Sequence, residues 1–322
     1  MILEDLSVLI IVYRRFENLE EIIKSCIKNA TTNIYIAIDF PKNGDLEGIK
    51  DFREVIKVIK NHEEILGLKL RVWIRRENLG CAVSVLTACD WFFKQVDFGI
   101  VLEDDCLPSD DFFNFAIQVK SILNSNENVW LACGTQYAPI ELFEESWVLS
   151  NYPLNWGWVT NKDKWLAISS AIKNSRKKLN ILNRQNRKIR DSVYWNAGAM
   201  RAYRSQVDVW DTILVQKMLA FRKLAVLPSV ALVTNNGNDS IATNVNLKSS
   251  WTNLQTFEFR KPINQPLYSN KVTNWVRNNF FRISFRHIFS TRINYLLDST
   301  IRKINKGDDL LSRWAAVKMP EL

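Results

Sequence analysis

A short apolar run followed at once by three acids is the feature that most constrains this sequence of 322 residues. The run extends from Gly99 to Leu102, and Glu103, Asp104 and Asp105 follow it directly. A run this short and apolar is typical of a strand buried on both faces of a parallel sheet. Ligands of open α/β sheets bind beyond the carboxyl ends of such strands. The sequence therefore predicts an acidic functional site at one edge of a parallel sheet.

Three adjacent carboxylates repel one another, and their pKa values rise if they are partly desolvated without a cation. Magnesium or manganese would neutralise them, since both metals prefer hard oxygen ligands that include phosphate oxygens. The alternative is a solvated acidic turn that opens the next helix. We adopt that alternative for Asp110 and Asp111 and predict a functional site for the acids from Glu103 to Asp105.

The segments around this run predict alternating strands and helices. Strands are predicted at residues 7–12, 34–38, 68–74 and 129–133, in addition to the run before the acids. Amphipathic helical patterns separate the first four strands, which indicates βαβ units and a mostly parallel central sheet flanked by helices. Neither G-x-G-x-x-G nor G-x-x-x-x-G-K-[ST] occurs, which disfavours a dinucleotide-dependent dehydrogenase and a P-loop enzyme.

Positive charge is concentrated in the second half of the chain, although the net charge is only +9. Residues 161–206 contain twelve Lys or Arg against two Asp, and residues 271–306 contain eight against one. An anionic partner is expected there. Nucleic acid is one such partner, but no helix-turn-helix or RNP-like context accompanies the charge, so we predict no nucleic-acid binding.

Cysteine and histidine usage excludes several kinds of site. Five cysteines occur without a C-x-x-C pair, which argues against a disulfide framework or a structural zinc site. The chain has two histidines, which makes a Ser-His-Asp triad or a histidine-rich metal site a poor hypothesis. The apolar run of residues 8–12 is too short for a signal peptide or a spanning helix. We therefore expect a cytoplasmic protein, with peripheral association with the inner face of the membrane as a further possibility.

Two aromatic segments also suggest binding. Trp156, Gly157 and Trp158 form the densest part of a tryptophan cluster, which indicates core packing or a platform for sugar rings. The segment from Lys271 onward interleaves aromatic and basic residues. That pattern is typical of a segment lying on an anionic membrane surface. A helical arm packed on the body is an equally good interpretation.

Taken in order, the motifs resemble those of GT-A glycosyltransferases. The likeness is to N-acetylglucosaminyltransferase I and, more closely, to bacterial enzymes of surface-polysaccharide synthesis such as those of lipopolysaccharide, capsule and O-antigen. The motifs are Val12-Tyr13-Arg14-Arg15, Ile38-Asp39, Asn78-Leu79-Gly80, Glu103-Asp104-Asp105, Trp156-Gly157-Trp158 and Trp210-Asp211. The resemblance implies a GT-A fold and a metal-dependent, inverting transfer from a nucleoside-diphosphate sugar to a glycan or a lipid-linked saccharide. UDP is favoured over dTDP.

The resemblance also implies roles for individual residues. Asp105 would bind Mn²⁺ or Mg²⁺, and Asp211 would be the general base, with Asp208 as the fallback. Trp156, Gly157 and Trp158 would contact the acceptor sugar, and Gly237 to Asn244 resembles a loop that closes over the diphosphate. The remaining implied positions contact the nucleotide or the donor: Val12, Tyr13, Arg14, Arg15, Asp39 at the base, Arg75, Arg76, Asn78, Gly80, Glu103, and Asp104 at the ribose.

Three parts of one domain are expected: a nucleotide-binding half at residues 1–134, an acceptor half at 135–260 and a basic, aromatic extension at 261–322. Two other functions stay open. A non-catalytic sugar- or nucleotide-binding module would explain the tryptophans. A sugar nucleotidylyltransferase could share the fold and the metal, but it should show a glycine- and arginine-rich loop where this chain has Tyr13, Arg14 and Arg15.

Overall fold

The protein has a mixed α/β fold with one large central sheet flanked by helices. The computed structural model describes residues 6–29, 31, 33–66, 70–174, 189–237, 256–262, 264–283 and 309–320. Their strands are β1 (Ser7–Val12), β2 (Asn33–Ile38), β3 (Arg71–Ile74), β4 (Phe98–Glu103), β5 (Cys106–Pro108), β6 (Val129–Cys133), β7 (Trp147–Ser150), β8 (Trp158–Asn161), β9 (Leu224–Pro228) and β10 (Val233–Asn235). The predicted fold class is confirmed.

Eight of these strands form the central sheet, in the order β3-β2-β1-β4-β8-β6-β9-β7. The first four are mutually parallel, and β6 and β9 are parallel to each other. Strands β8 and β7 run antiparallel to their neighbours. Strand β1 lies between β2 and β4, and all six of its residues are buried. This central position explains why its sequence is an uninterrupted apolar run.

Helices cover both faces of the sheet. They are α1 (Phe16–Lys28), α2 (Leu46–Leu66), α3 (Cys81–Phe93), α4 (Asp110–Ser125), α5 (Lys162–Lys173), α6 (Ile189–Tyr203), α7 (Asp211–Ala220), α8 (Asn270–Trp275) and α9 (Leu310–Ala316). Apolar residues of α1, α2 and α4 pack with one face of β1, and those of α3, α5 and α7 pack with the other. The strands of the central sheet come from both predicted halves of the chain.

A small second sheet lies beside the acidic run. Strand β5, which follows Asp105 directly, pairs antiparallel with β10. Just after β10, the Asn236 amide donates to the backbone oxygen of Asp105 at 2.8 Å. The pairing therefore brings the residues after β10 to the end of β4, although more than a hundred residues separate them in sequence.

The described parts of the C-terminal extension pack on the body. Val272, Val276, Leu310 and Trp314 are buried in the same apolar cluster as α3. The ring of Phe280 stacks on that of Tyr137, with centroids 4.9 Å apart. For these described parts, the contacts favour the interpretation of the extension as a helical arm that packs on the body of the protein. The predicted membrane-facing aromatics beyond residue 283 lie outside the described residues, so membrane association stays a prediction.

No helix in the described part of the chain combines the length and the apolar character needed to cross a membrane.

Asp90 joins three helices, and its removal gives a test of the fold. Its carboxylate accepts hydrogen bonds from the indole N–H groups of Trp165 on α5, at 2.9 Å, and Trp314 on α9, at 3.0 Å. Asp90→Ala leaves both donors without this acceptor. We expect the free energy of unfolding to fall by about 3 kcal/mol, because each buried unsatisfied donor costs roughly 1–3 kcal/mol. Urea unfolding followed by tryptophan fluorescence measures the change.

The matched control for this prediction is Asp97→Ala. Asp97 forms an exposed ion pair with Lys162 at 3.4 Å, and its loss should change stability by less than about 1 kcal/mol. Equal stabilities for the Asp90 and Asp97 variants would contradict the joining role of Asp90.

Candidate functional site

The sheet positions one pocket beyond the carboxyl ends of β1, β2 and β4. Eleven of the sixteen residues predicted for the site line it: Val12, Tyr13, Arg15, Asp39, Asn78, Gly80, Glu103, Asp104, Asp105, Trp156 and Asp211. Parallel strands end at the same edge of a sheet, so residues from three separate motifs meet there. The structure therefore brings together most of the residues that the sequence motifs suggested.

Three acids of the pocket lie in a weakly hydrated, mutually repulsive cluster. Burial and, to a smaller extent, the charges of Asp105, Asp104 and Asp211 raise the pKa of Glu103 to about 8. Burial also raises the pKa of Asp105, and the nearby Arg15 guanidinium opposes that rise. For Asp211 burial is again the main cause of a raised pKa. These carboxylates would bind a cation or a proton readily.

Asp104 differs from its neighbours because its carboxylate is committed to the backbone. Its Oδ2 accepts hydrogen bonds from the amides of Tyr13, Arg14 and Arg15, at 2.8, 3.1 and 3.4 Å. Its Oδ1 accepts from the Arg15 guanidinium at 2.9 Å. Asp104 thus fixes the loop that joins β1 to α1. Its expected position near a ribose stays a prediction, and any ribose would compete with these bonds.

Asp39 fixes a second loop at the same edge of the sheet. Its Oδ1 accepts from the Leu79 amide at 2.9 Å and its Oδ2 from the Gly80 amide at 3.0 Å. Desolvation raises its pKa to about 6, and these N–H donors and the charge of Arg75 limit the rise. The predicted contact of Asp39 with a nucleotide base would likewise compete with existing hydrogen bonds.

One predicted arginine and one residue of the tryptophan motif lie in the core, away from the pocket. Arg75 is buried beneath α3, where its guanidinium stacks on Trp73 and donates to the Ser84 oxygen at 3.1 Å. Trp158 is 1% exposed in β8, between Trp165 and Trp210. Both are core residues, so the predicted nucleotide contact of Arg75 and sugar contact of Trp158 are wrong.

Three further predicted residues also lie outside the pocket lining. Gly157 packs against Val233, which leaves no space for a side chain. Arg14 forms ion pairs with Asp45 and Asp51 at 3.3 and 2.7 Å. Arg76 is exposed and does not line the pocket. The expected ligand contacts of Gly157 and Arg14 are therefore corrected to packing and ion pairing, and the nucleotide contact of Arg76 stays a prediction.

The pocket also contains residues that sequence reasoning did not select. Lys42, Cys81, Ser84, Asn155 and Val209 line it. No motif marks them, because they come from loops and a helix end whose side-chain directions only the fold determines. Asn155 alone carried a signal, since it directly precedes the tryptophan motif.

The residues present fit a divalent cation held mainly by substrate phosphates. A Cβ on Gly237 would lie 2.4 Å from Asp105 Oδ2, so this glycine leaves space directly beside that oxygen. Among the described residues, no group of three or more His, Cys, Asp or Glu side chains forms a ready metal site. One or two carboxylates with substrate phosphates is the usual arrangement for magnesium. Asp105 is the residue that fits this role.

The chain is distantly similar in structure to several known proteins. No family model matches the chain, and no curated protein matches it. One similar solved structure is the inositol-1-phosphate CTP transferase from T. maritima, with a TM-score of 0.38, 13% identity, and coverage of 70% of this chain and 85% of that one. Another is a UDP-glucose pyrophosphorylase complexed with UDP-glucose, with a TM-score of 0.34, 8% identity, and coverage of 69% and 90%.

Both of these proteins are nucleotidyltransferases and not the glycosyltransferases that the motifs resemble. At such identities and scores, the likeness carries no inference about the activity of this chain.

Asp39 gives a test of the site's electrostatics. A carboxyl whose pKa is raised to about 6 binds its proton more tightly in the folded than in the unfolded state. Its contribution to stability is therefore present below about pH 4 and lost as pH rises through about 6. We expect the stability of the wild type relative to Asp39→Asn to fall by about 3 kcal/mol across that range. Urea unfolding at pH 4 and pH 7 measures it.

Asp110→Asn is the control, because the pairing of Asp110 with Lys28 lowers the pKa of this exposed acid. The stability of the wild type relative to this variant should rise slightly with pH. A difference between wild type and Asp39→Asn that is constant with pH would contradict the raised pKa.

Proposed function

We propose that this protein is a metal-dependent, inverting glycosyltransferase. It would move a sugar from a nucleoside-diphosphate sugar, with UDP favoured over dTDP, to a hydroxyl of a glycan or a lipid-linked saccharide of surface-polysaccharide synthesis. The observation that carries the proposal is the different use of neighbouring acids. All three acids line the pocket, but Asp104 is hydrogen-bonded to the loop after β1, whereas burial raises the pKa values of Asp105 and Asp211.

The loop after β1 favours glycosyl transfer over nucleotidyl transfer. A nucleotidyltransferase must hold the triphosphate of its nucleotide, and successive backbone N–H groups in a loop are suited to that task. Here the N–H groups of Tyr13, Arg14 and Arg15 all point at Asp104 Oδ2. A triphosphate would have to displace a carboxylate that also pairs with the Arg15 guanidinium. Because Asp104 occupies these N–H groups, the loop favours a substrate whose phosphates are held by other parts of the pocket, as we propose for the diphosphate of a nucleotide sugar.

Asp105 would hold Mn²⁺ or Mg²⁺, and the metal would neutralise charge on the diphosphate as the nucleotide leaves. The Arg15 guanidinium lies 3.6 Å from Asp105 Oδ2 and lines the same pocket, so a phosphate oxygen bound beside Asp105 would lie close to this positive charge. Asp104 holds that guanidinium in place. A positioned cation stabilises the departing charge without taking part in proton transfer.

Asp211 is suited to act as the general base. It is the first residue of α7, and the Thr212 amide and hydroxyl donate to its Oδ1 at 2.6 and 3.3 Å. Those bonds fix the carboxylate, and desolvation raises its pKa, which makes it the stronger base. It would accept the proton of the acceptor hydroxyl while that oxygen bonds to the anomeric carbon. The bond from this carbon to phosphate breaks, and its electron pair leaves with the diphosphate.

Trp156 would provide the sugar platform. It lines the pocket, and its ring meets those of Tyr137 and Phe280 edge-on, at 5.7 and 6.3 Å between centroids. An indole held by other rings offers a fixed apolar face, against which the C–H face of a sugar can pack.

The metal assignment predicts a loss of binding in Asp105→Asn. For the wild type, UDP with Mn²⁺ should raise the melting temperature more than UDP alone, because ligands that bind only the folded state stabilise it by mass action. Asp105→Asn should lose this metal-dependent increment, since its amide no longer attracts the cation. Differential scanning fluorimetry across a manganese titration measures the effect. Asp110→Asn, on the exposed start of α4, is the control and should keep it.

The base assignment predicts a loss of turnover in Asp211→Asn. We expect kcat to fall by about 10² to 10⁴, the usual contribution of a general base, while the affinity for UDP stays unchanged. Release of UDP from a panel of UDP-sugars with Mn²⁺ and nitrophenyl glycosides as acceptors gives kcat, and calorimetry gives affinity. Asp163→Asn changes an equivalent first-turn acid of α5, which does not line the pocket, and should leave kcat unaltered.

The competing activity is tested with the same protein. A nucleotidyltransferase would release pyrophosphate from a nucleoside triphosphate and a sugar 1-phosphate. Such release, without UDP release from any UDP-sugar, would replace the proposed function by nucleotidyl transfer. Binding of UDP-sugars with neither activity would favour the non-catalytic module.

A further inference from the structure

The start of α3 is held by two carboxylates from distant parts of the chain. Four consecutive amides are involved. Those of Leu79 and Gly80 donate to Asp39, and those of Cys81 and Ala82 donate to Asp208 at 2.8 and 2.9 Å. Asp39 follows β2, whereas Asp208 lies between α6 and α7. The amides at the start of α3 thereby link the loop that contains Asp208 to Asp39, at the end of β2.

Gly80 is required for this arrangement. Its φ of +74° is a conformation that side chains disfavour, and a Cβ there would lie 2.3 Å from Asp208 Oδ2. Gly80 is also the residue that precedes α3, and it supplies no side-chain cap of its own. The first N–H groups of α3 therefore depend on Asp208, a residue 127 positions away, for their acceptor.

Asp208 and Trp210 are two fixed points of the same loop. Trp210 is 3% exposed and packs on Trp158 of β8 at 5.7 Å between ring centroids. Asp211 follows it directly. Ser205, earlier in this loop, has a φ of +52°, so the chain turns sharply before reaching Asp208. The position of Asp211 is thus determined by a loop that is hydrogen-bonded to α3 through Asp208 and packed on β8 through Trp210.

We propose that Asp208 is a positioning residue that holds Asp211 at its place in the pocket. This inference rests on the proposed function, in which Asp211 is the base. Both carboxylate oxygens of Asp208 accept hydrogen bonds from backbone amides, so Asp211 is better placed than Asp208 to accept a proton from the acceptor hydroxyl. Asp208 also caps α3, but a residue next to α3 could serve as a cap equally well. The acceptor comes instead from the loop that leads into Asp211, so the same two hydrogen bonds also fix that loop.

Substitution of Asp208 tests the proposal through kinetics. In Asp208→Ala we expect kcat per folded molecule to fall by about 10- to 100-fold, because a displacement of about 1 Å at a reacting group costs this much. The affinity for UDP should change less than threefold. Asp208→Asn keeps one acceptor oxygen and should recover a large part of kcat.

Ser269→Ala is the matched control. Ser269 caps α8, which packs on β7 at the far edge of the sheet, by accepting from the Val272 amide at 3.2 Å. Its loss should lower the melting temperature as the loss of any cap does, but it should not change kcat. If Asp208→Ala lowers only the melting temperature and keeps kcat per folded molecule, the positioning role is overturned.

Amide hydrogen exchange provides a readout that does not depend on turnover. In Asp208→Ala, the amides of Cys81 and Ala82 and those of residues 209–215 should exchange faster than in the wild type. Faster exchange in a protein that transfers no sugar would support the positioning of residue 211 while removing the proposed function. Unchanged exchange over residues 209–215 would overturn the positioning whether or not sugar is transferred.

Discussion

Buried backbone amides must find acceptors, and this requirement organises the edge of the sheet where the pocket lies. Two loops leave the sheet there, after β1 and before α3, and each turns too sharply to satisfy its amides by secondary structure. Asp104 accepts from the first loop, and Asp39 and Asp208 accept from the second. Carboxylates suit this task because each oxygen accepts more than one hydrogen bond.

Three acids of the pocket accept hydrogen bonds from loop amides, and the three others are left to bind a ligand, a cation or a proton. Glu103, Asp105 and Asp211 have fewer donors around them, and burial raises the pKa of each. Within one short run, therefore, Asp104 is structural, while both of its neighbours contribute negative charge to a pocket that Arg15 neutralises only in part. Such a pocket is costly unless a cation joins it, which is why the arrangement favours a metal brought in with a diphosphate. The same desolvation that makes the cluster costly makes Asp211 a better proton acceptor.

The sequence predicted the architecture well because the strands that position the site are buried on both faces. Uninterrupted apolar runs marked β1, β2 and β4, and the acids at the ends of β2 and β4 marked the pocket. Side-chain direction was harder to predict. Trp156 and Trp158 belong to one motif, yet Trp156 faces the pocket and Trp158 the core, because β8 begins between them and its pleat sends Trp158 inward. Arg75 was misassigned for a related reason: stacking on Trp73 draws its guanidinium under α3.

Strand direction explains how a residue far along the chain reaches the acids. Strand β8 runs antiparallel to β4, and Trp158 pairs with Val101 near the end of β4. The start of β8 therefore lies at the edge where β4 ends, and Asn155 and Trp156, just before it, enter the pocket. A parallel strand in this place would have carried them to the opposite edge. The one reversal beside β4 thus joins a loop of the second half to the acids of the first, so that the donor and acceptor parts of the proposed reaction share one pocket.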